Sequence, residues 1–235
     1  LRSAPRDAQG VRFLLAAMGK EELPARVSEA FLKQVYAGRA QRWDGVADYN
    51  APKLVADALE RHASQGSLSI ADLGCGTGLV GERVRSLAQR LDGVDLSSEM
   101  LAVAAAKGFY DGLHLRELTG WLSQNKERCD AIVSAATLIH IGDLRPVFEA
   151  ASDALRPGGL FVFTLLAARD PADDGKAVAA RGDLALSGCF LHGRGYVATA
   201  AAEASLQVVQ LGEEVHEVSR GAPVDGLLVV LRRPA

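Results

Sequence analysis

Between Leu68 and Leu166 short apolar runs alternate with stretches of helical periodicity, and no other feature limits the possible folds of this chain so strongly. The runs are LSIADLG, LDGVDLS, LHLREL, CDAIVSAATLIHI and GGLFVFTLL; between them lie LVGERVRSLAQRL, SEMLAVAAAKG, GWLSQNKE and DLRPVFEAASDAL. Strand and helix in strict alternation require right-handed crossovers and a parallel sheet, so five parallel strands are predicted. Helix punctuation agrees. Val80, Val84 and Leu87 form one stripe, Ser97 or Ser98 and Asp143 are predicted N-caps, and Gly108 is a predicted stop. Two later runs, LQVVQLGEEVHEV and DGLLVVLRR, are joined by the turn-rich SRGAPVDG, a linker too short for a crossover, and should pair antiparallel.

The segment before this alternation reads as helical. VRFLLAAM is followed by PARVSEAFLKQVY, with Val27, Phe31 and Val35 on one face, and by APKLVADALERHA, with Leu54, Val55, Ala58 and Leu59. Pro24 and Pro52 are predicted in first turns, which tolerate proline. The turn signal SQGS follows. Residues 1–62 are therefore expected to form a helical segment lying as a lid over an α/β domain of residues 63–235; from about Ala167 to Gly195 the sequence turns polar and glycine-rich, and RDPADDG within it is expected to be loop. The predicted class is a doubly wound, Rossmann-like sheet, seven-stranded and mostly parallel with an antiparallel final strand, plus N-terminal helices.

Composition narrows the function. A chain of 235 residues that is 49% hydrophobic can build one good-sized core. A net charge of -3 with no clustered basic face argues against nucleic-acid binding. The longest apolar run, Leu160 to Ala168, is far short of the ~20 residues that cross a bilayer, and no leader is read, so a cytoplasmic protein without a membrane partner is expected. Because the chain opens on Leu1, it reads as a fragment or as one with an unseen leader. Cys75, Cys129 and Cys189 are odd in number and far apart, which predicts reduced, buried thiols and neither disulfides nor a zinc site.

ADLGCGTG, from Ala71 to Gly78, ends the first strand with glycines at every second position. Free backbone N–H groups at such a strand-to-helix turn suit a nucleotide-type ligand. A dinucleotide fingerprint starting at Gly74 would need a glycine where Leu79 stands, so the loop predicts a ligand without a pyrophosphate. Asp95 ends the next apolar run about 20 residues on, the offset at which a carboxylate reaches both hydroxyls of a ribose.

ADLGCGTG, GVDLSSEML, CDAIVSAATLIHI and LRPGGLFVF, in that order, resemble the motifs of class I S-adenosylmethionine-dependent methyltransferases. The resemblance runs from about Val35 to Arg233. YAGRAQRWD, YNAPKLVADAL and the stretch from Leu79 to Leu113 look most like bacterial methyltransferases with tetratricopeptide-type helices upstream. The resemblance implies S-adenosyl-L-methionine as cofactor and S-adenosyl-L-homocysteine as product. It implies that Asp72, Gly74, Cys75, Gly76 and Gly78 surround the methionine half, that Asp95 takes the ribose, that Leu96 and Met100 cover the adenine, and that Glu117 with Leu118 meets its edge. Ser134 opens SAATLIHIGD, the strand end expected near the methyl.

A sulfonium methyl is already activated, so the protein has mainly to position an acceptor and exclude water. Many relatives carry a polar residue where this chain has Ala136, which leaves His140 as the candidate base, placed like a histidine of quinone-ring O-methyltransferases. His192, Arg194 and Tyr196 are candidate acceptor contacts after the fifth strand, and Trp43 and Tyr49 candidate lid residues. No metal is expected. The reading is a methyltransferase for a small-molecule acceptor, O-linked ahead of N-linked, and an apolar stripe on the first helices could support a homodimer. An NAD(P)-dependent oxidoreductase and a non-catalytic S-adenosylmethionine-binding or assembly protein are the alternatives.

Overall fold

A computed structural model describes residues 7, 9–45, 48–64, 66–219 and 221–235. Residues 65 and 220, within two of the predicted turns, and residues 1–6, 8, 46 and 47 of the predicted lid segment lie outside the described residues. The chain runs α1 (Val11–Ala17), α2 (Glu29–Ala37), a 3-10 turn at Ala40–Gly45, α3 (Ala51–His62), β1 (Leu68–Leu73), α4 (Leu79–Val84), β2 (Ala88–Asp95), α5 (Ser98–Lys107), β3 (Gly112–Leu115) and α6 (Leu118–Ser123). It continues through β4 (Cys129–Ser134), a 3-10 turn at Leu138–His140, α7 (Arg145–Ala154), β5 (Leu155–Leu166), β6 (Ala177–Ala179), α8 (Gly182–Leu186), β7 (Phe190–His192), α9 (Arg194–Glu203), β8 (Gln207–Ser219) and β9 (Ala222–Arg232).

Seven strands form one sheet in the order β3-β2-β1-β4-β5-β9-β8. β1 to β5 pair parallel, as the alternation requires, and β9 is antiparallel to both β5 and β8. The last strand in sequence is thus the single reversed one, wedged between β5 and the edge strand β8. Side chains alternate across the sheet with period two. Phe161, Phe163, Leu165, Val229 and Leu231 pack on one face with Trp121, Leu122, Phe148 and Val197 of α6, α7 and α9. Leu160, Val162, Leu228 and Val230 pack on the other with Val55, Ala58 and Leu59 of α3 and Val80 of α4. Apolar residues on both faces are what two helical layers demand.

Local structure adds detail to these expectations. α3 packs on the sheet's core, with Val55, Ala58 and Leu59 buried there and Tyr49 against them. The second helix begins at Glu29, not Pro24, because Ala25 to Val27 anneal to the chain beyond β4: Ala25 O accepts from Gly142 N and Asp143 N, and Val27 N donates to His140 O. Beyond the RDPADDG stretch the polar segment holds two short strands that the sequence reading did not identify; β6 and β7 pair antiparallel, and Phe190 anchors them in a small cluster with Phe13 and Val27. Of the predicted caps, Ser97 Oγ accepts from Met100 N and Gly108 ends α5 in the left-handed region. Asp143 stands one residue before the N-cap of α7 and bonds Arg145 N.

Candidate cofactor and acceptor site

At the carboxyl ends of β1, β2 and β4, the topological switch where open α/β sheets bind ligands, lies a cavity of about 1020 Å³ that includes some open solvent. Gly74, Gly76 and Gly78 all have positive φ, 67°, 53° and 93°. Their missing side chains serve different neighbours. A Cβ on Gly74 would overlap the Thr137 side chain, and one on Gly78 would crowd the Tyr110 ring, whereas one on Gly76 meets only Gly74 O at 4.0 Å. Two of the three glycines therefore make room for the protein itself.

The loop's donors are mostly spent. Gly74 N and Cys75 N donate to Val94 O, Gly78 N to Cys75 O, and Gly76 N to Asp95 Oδ2 at 2.9 Å. A pyrophosphate would find few free N–H groups here. Asp95 Oδ1 accepts from Ser97 N at 2.8 Å. With two of about four lone-pair sites taken, the carboxylate can still accept from both hydroxyls of a ribose. Burial raises its pKa against the pull of the Ser97, Gly76 and Leu96 amides.

Of the residues the sequence singles out for cofactor, Gly74, Cys75, Gly76, Asp95, Leu96, Met100, Glu117 and Leu118 line the cavity. Asp72, Gly78 and Ser134 sit behind its wall. Asp72 is buried, its Oδ2 accepts the Tyr110 hydroxyl at 2.7 Å, and its Oδ1 has no hydrogen-bond partner among the described residues. Its pKa is pushed up to about 7 by burial, opposed by the Tyr110 hydroxyl and aided by the Asp95 charge. Ser134 Oγ donates to Leu73 O at 2.9 Å. Glu117 caps α6 by accepting from Gly120 N and pairs with Arg26 at 3.0 Å, commitments invisible in the sequence.

His140, Trp43 and Tyr49 line the same cavity. His192, Arg194 and Tyr196 do not reach it: His192 is buried against Ile141 O, Arg194 bonds Leu211 O, and the Tyr196 hydroxyl bridges Leu144 N and Gly142 O. Sequence reasoning missed Tyr36, whose hydroxyl is 2.7 Å from His140 Nε2. It also missed Thr137, under Gly74, and Tyr110, whose ring fills the space beside Gly78, Gly81 and Gly93. Each acquires its meaning from a partner distant in sequence. Among the described residues no group of three or more His, Cys, Asp or Glu is placed to hold a metal, and no helix is long and apolar enough to cross a membrane.

Residues 71–163 match the family model of a methyltransferase domain. A ubiquinone biosynthesis O-methyltransferase of Xylella fastidiosa is 28% identical over 114 residues, 46% of this chain and 46% of that protein, so the chain spans about half the length of the curated relatives it matches. An S-adenosylmethionine-dependent methyltransferase from Mesorhizobium loti aligns with TM-score 0.57 and 25% identity over 75% of this chain and 96% of that one. The fold is shared by the 1,6-didemethyltoxoflavin-N1-methyltransferase of Burkholderia thailandensis, solved with S-adenosylhomocysteine, with TM-score 0.68 and 16% identity over 88% of each chain. Residues 71–163 are thus similar to a methyltransferase domain, and the fold is the one seen in solved S-adenosylmethionine-dependent methyltransferases. The spent loop donors and the half-free Asp95 carboxylate fit that cofactor.

Proposed function

We propose that this chain transfers a methyl group from S-adenosylmethionine to a small-molecule acceptor by in-line displacement without a metal, a hydroxyl being favoured over an amine. One observation carries the reading: a single cavity is lined both by the Asp95 carboxylate with lone pairs to spare and by the Tyr36–His140 pair. Bound there, the cofactor supplies a methyl already activated on a sulfonium. Asp95 holds the ribose hydroxyls, Leu96 and Met100 flank the adenine, Leu118 and Glu117 border its edge, and the backbone of Gly74, Cys75 and Gly76 runs along the methionine half. Asp72, Gly78 and Ser134 hold the loop from behind. Trp43 and Tyr49 exclude water on the acceptor side, and His140 serves as the proton sink.

The hydroxyl preference rests on His140 having a base's lone pair and on the relative named for O-methylation in ubiquinone biosynthesis. The three cysteines are free and buried, which supports a reducing, cytoplasmic setting. The likeness to methyltransferases with upstream tetratricopeptide-type helices is supported by the stretches from Tyr36 to Leu113 alone, and a homodimer through the first helices by the exposure of Val11 and Met18.

Calorimetry tests the reading. S-adenosylhomocysteine is expected to bind and NADH not, and Asp95→Ala to weaken S-adenosylhomocysteine at least about tenfold, the scale of lost hydrogen bonds to a charged group. Binding of NADH alone, or an Asp95→Ala variant with full affinity, overturns it. Turnover across phenols, amines and carboxylates separates an enzyme from a protein that only binds the cofactor, since the latter methylates none of them.

A further inference from the structure

The cavity contains a hydrogen-bonded pair that holding the cofactor does not require. Tyr36 of α2 and His140 of the turn after β4 meet edge to face, ring centroids 5.6 Å apart, with Tyr36 Oη 2.7 Å from His140 Nε2. The direction of that bond is set from behind. His140 Nδ1 is 2.8 Å from the carbonyl oxygen of Gly188, which can only accept. Nδ1 therefore carries the imidazole proton and Nε2 presents a lone pair. Burial keeps the ring neutral: its pKa is pushed down to about 4 by burial first, with the Arg39 charge adding and the Gly188 carbonyl opposing. Burial likewise holds the Tyr36 hydroxyl above its ordinary value, so it is protonated and donates to Nε2. Among the described residues Oη has no second partner, so it offers the cavity lone pairs and no proton.

Around this oxygen the wall is aromatic. Tyr36 packs edge to face on Trp43 at 5.5 Å, and Trp43 on Tyr49 at 5.7 Å. Such a ladder favours a planar ring beside it.

Resting on the methyl-transfer reading above, we propose that Tyr36, rather than His140, is the catalytic residue that meets the acceptor, and that its accept-only oxygen selects acceptors bearing a neutral ring hydroxyl. As the acceptor oxygen bonds the methyl carbon, the carbon–sulfur bond breaks with its electron pair left on sulfur. The acceptor's proton passes to Tyr36 Oη while the tyrosine's own proton passes to His140 Nε2. When the product leaves, water entering the cavity takes the proton from Tyr36 Oη and the imidazolium, its Nδ1–H still on Gly188, returns its Nε2 proton to that oxygen. His140 is thus a positioning residue and proton store behind Tyr36. An ether, having no proton to give, leaves the Tyr36 oxygen unpaired and is rejected by the logic that sites built for a hydroxyl apply to analogues lacking it.

The test loads the full chain with S-adenosylhomocysteine and titrates phenol, catechol and 4-hydroxybenzoate, each against its O-methyl ether, by calorimetry. The hydroxyl forms are expected to bind about tenfold more tightly than the ethers, the scale of one hydrogen bond kept or lost. Tyr36→Phe keeps the ring packing and should bring that ratio to about one with S-adenosylhomocysteine affinity unchanged. A packing role alone would not move the ratio. Independently, nitrogen NMR of wild-type His140 between about pH 5.5 and 8 should show the Nδ1–H tautomer throughout. Equal affinity for hydroxyl and ether forms, binding of neither, an unchanged ratio in Tyr36→Phe, or an Nε2–H tautomer overturns the proposal. Failure of wild-type protein to bind S-adenosylhomocysteine overturns the methyl-transfer reading instead.

Discussion

At Gly74 two demands coincide, a left-handed backbone and an absent side chain, and Gly76 separates them because it meets only the first. Both have positive φ, but only a Cβ on Gly74 would overlap Thr137, whose hydroxyl donates to Gly74 O at 3.3 Å and Ala135 O at 3.2 Å. Gly76→Ala should cost about 1 kcal/mol, the strain of a side chain at positive φ. Gly74→Ala should cost roughly 2–4 kcal/mol, since overpacking adds to that strain. Adding Thr137→Ala should relieve part of the Gly74→Ala penalty and none of the Gly76→Ala penalty. Denaturant unfolding of the four variants checks this, and equal costs at the two glycines would refute it. From sequence the three glycines read as one feature. What each makes way for was hidden, because Thr137 and Tyr110 arrive from other strands and loops.

Among the elements, the stretch from Arg26 through α2 and the 3-10 turn borders the cavity and is tied to the rest of the fold by side-chain contacts. Arg26 pairs with Glu117, Tyr36 bonds His140, and Asp44 in the turn takes both the Thr77 hydroxyl, inside the glycine loop, and the Lys107 ammonium at the end of α5. Against its partial burial, the bonds from Lys107 and Thr77 hold the Asp44 carboxyl below its usual range. The turn therefore clasps the loop it covers. Asp44→Ala should speed amide exchange in α2 several-fold and release S-adenosylhomocysteine several-fold faster, the scale of an exposed ion pair and one hydrogen bond. Unchanged exchange in α2 would show that the clasp does not hold this element. Helical periodicity predicted α2, but its start was misread because Pro24 looked like a first-turn proline. Hydrogen bonds from Gly142, Asp143 and Val27 hold that stretch extended, and local propensity cannot report such partners.

Across the whole molecule, three buried histidines, His140, His192 and His216, have their pKa pushed down to about 4, burial being the first cause for each. His192 is the cleanest of these, lying away from the cavity with Nε2 on Ile141 O and Nδ1 without a hydrogen-bond partner among the described residues. Its folded pKa lies below the unfolded value, so between about pH 6.5 and 4 the unfolded chain binds a proton that the native state refuses, and stability falls as pH falls. By that linkage His192 costs the fold about 2 kcal/mol on going from pH 7 to 5. The raised Asp72 pulls the opposite way, so the test is differential. His192→Gln should lose less stability than wild type between those pH values, and equal losses would refute the assignment. His192 also shows the limit of reading sites from sequence, since it followed the fifth strand like an acceptor contact and proved to be core.

The alternation of periods along the chain fixed the layered sheet and the five parallel strands, the short linker SRGAPVDG fixed the reversed last strand, and the glycine loop with Asp95 marked the edge of the sheet where the cavity lies. Periodicity and turn chemistry are local, so those features are written in the order of residues. Only the tertiary structure decided which polar groups share the cavity: that Tyr36 stands against His140 across 104 residues, that Arg26 claims Glu117, and that His192 and Tyr196 turn away. Such pairings depend on where crossovers return the chain, and a hydrogen bond reaches about 3 Å in space with no trace in sequence spacing.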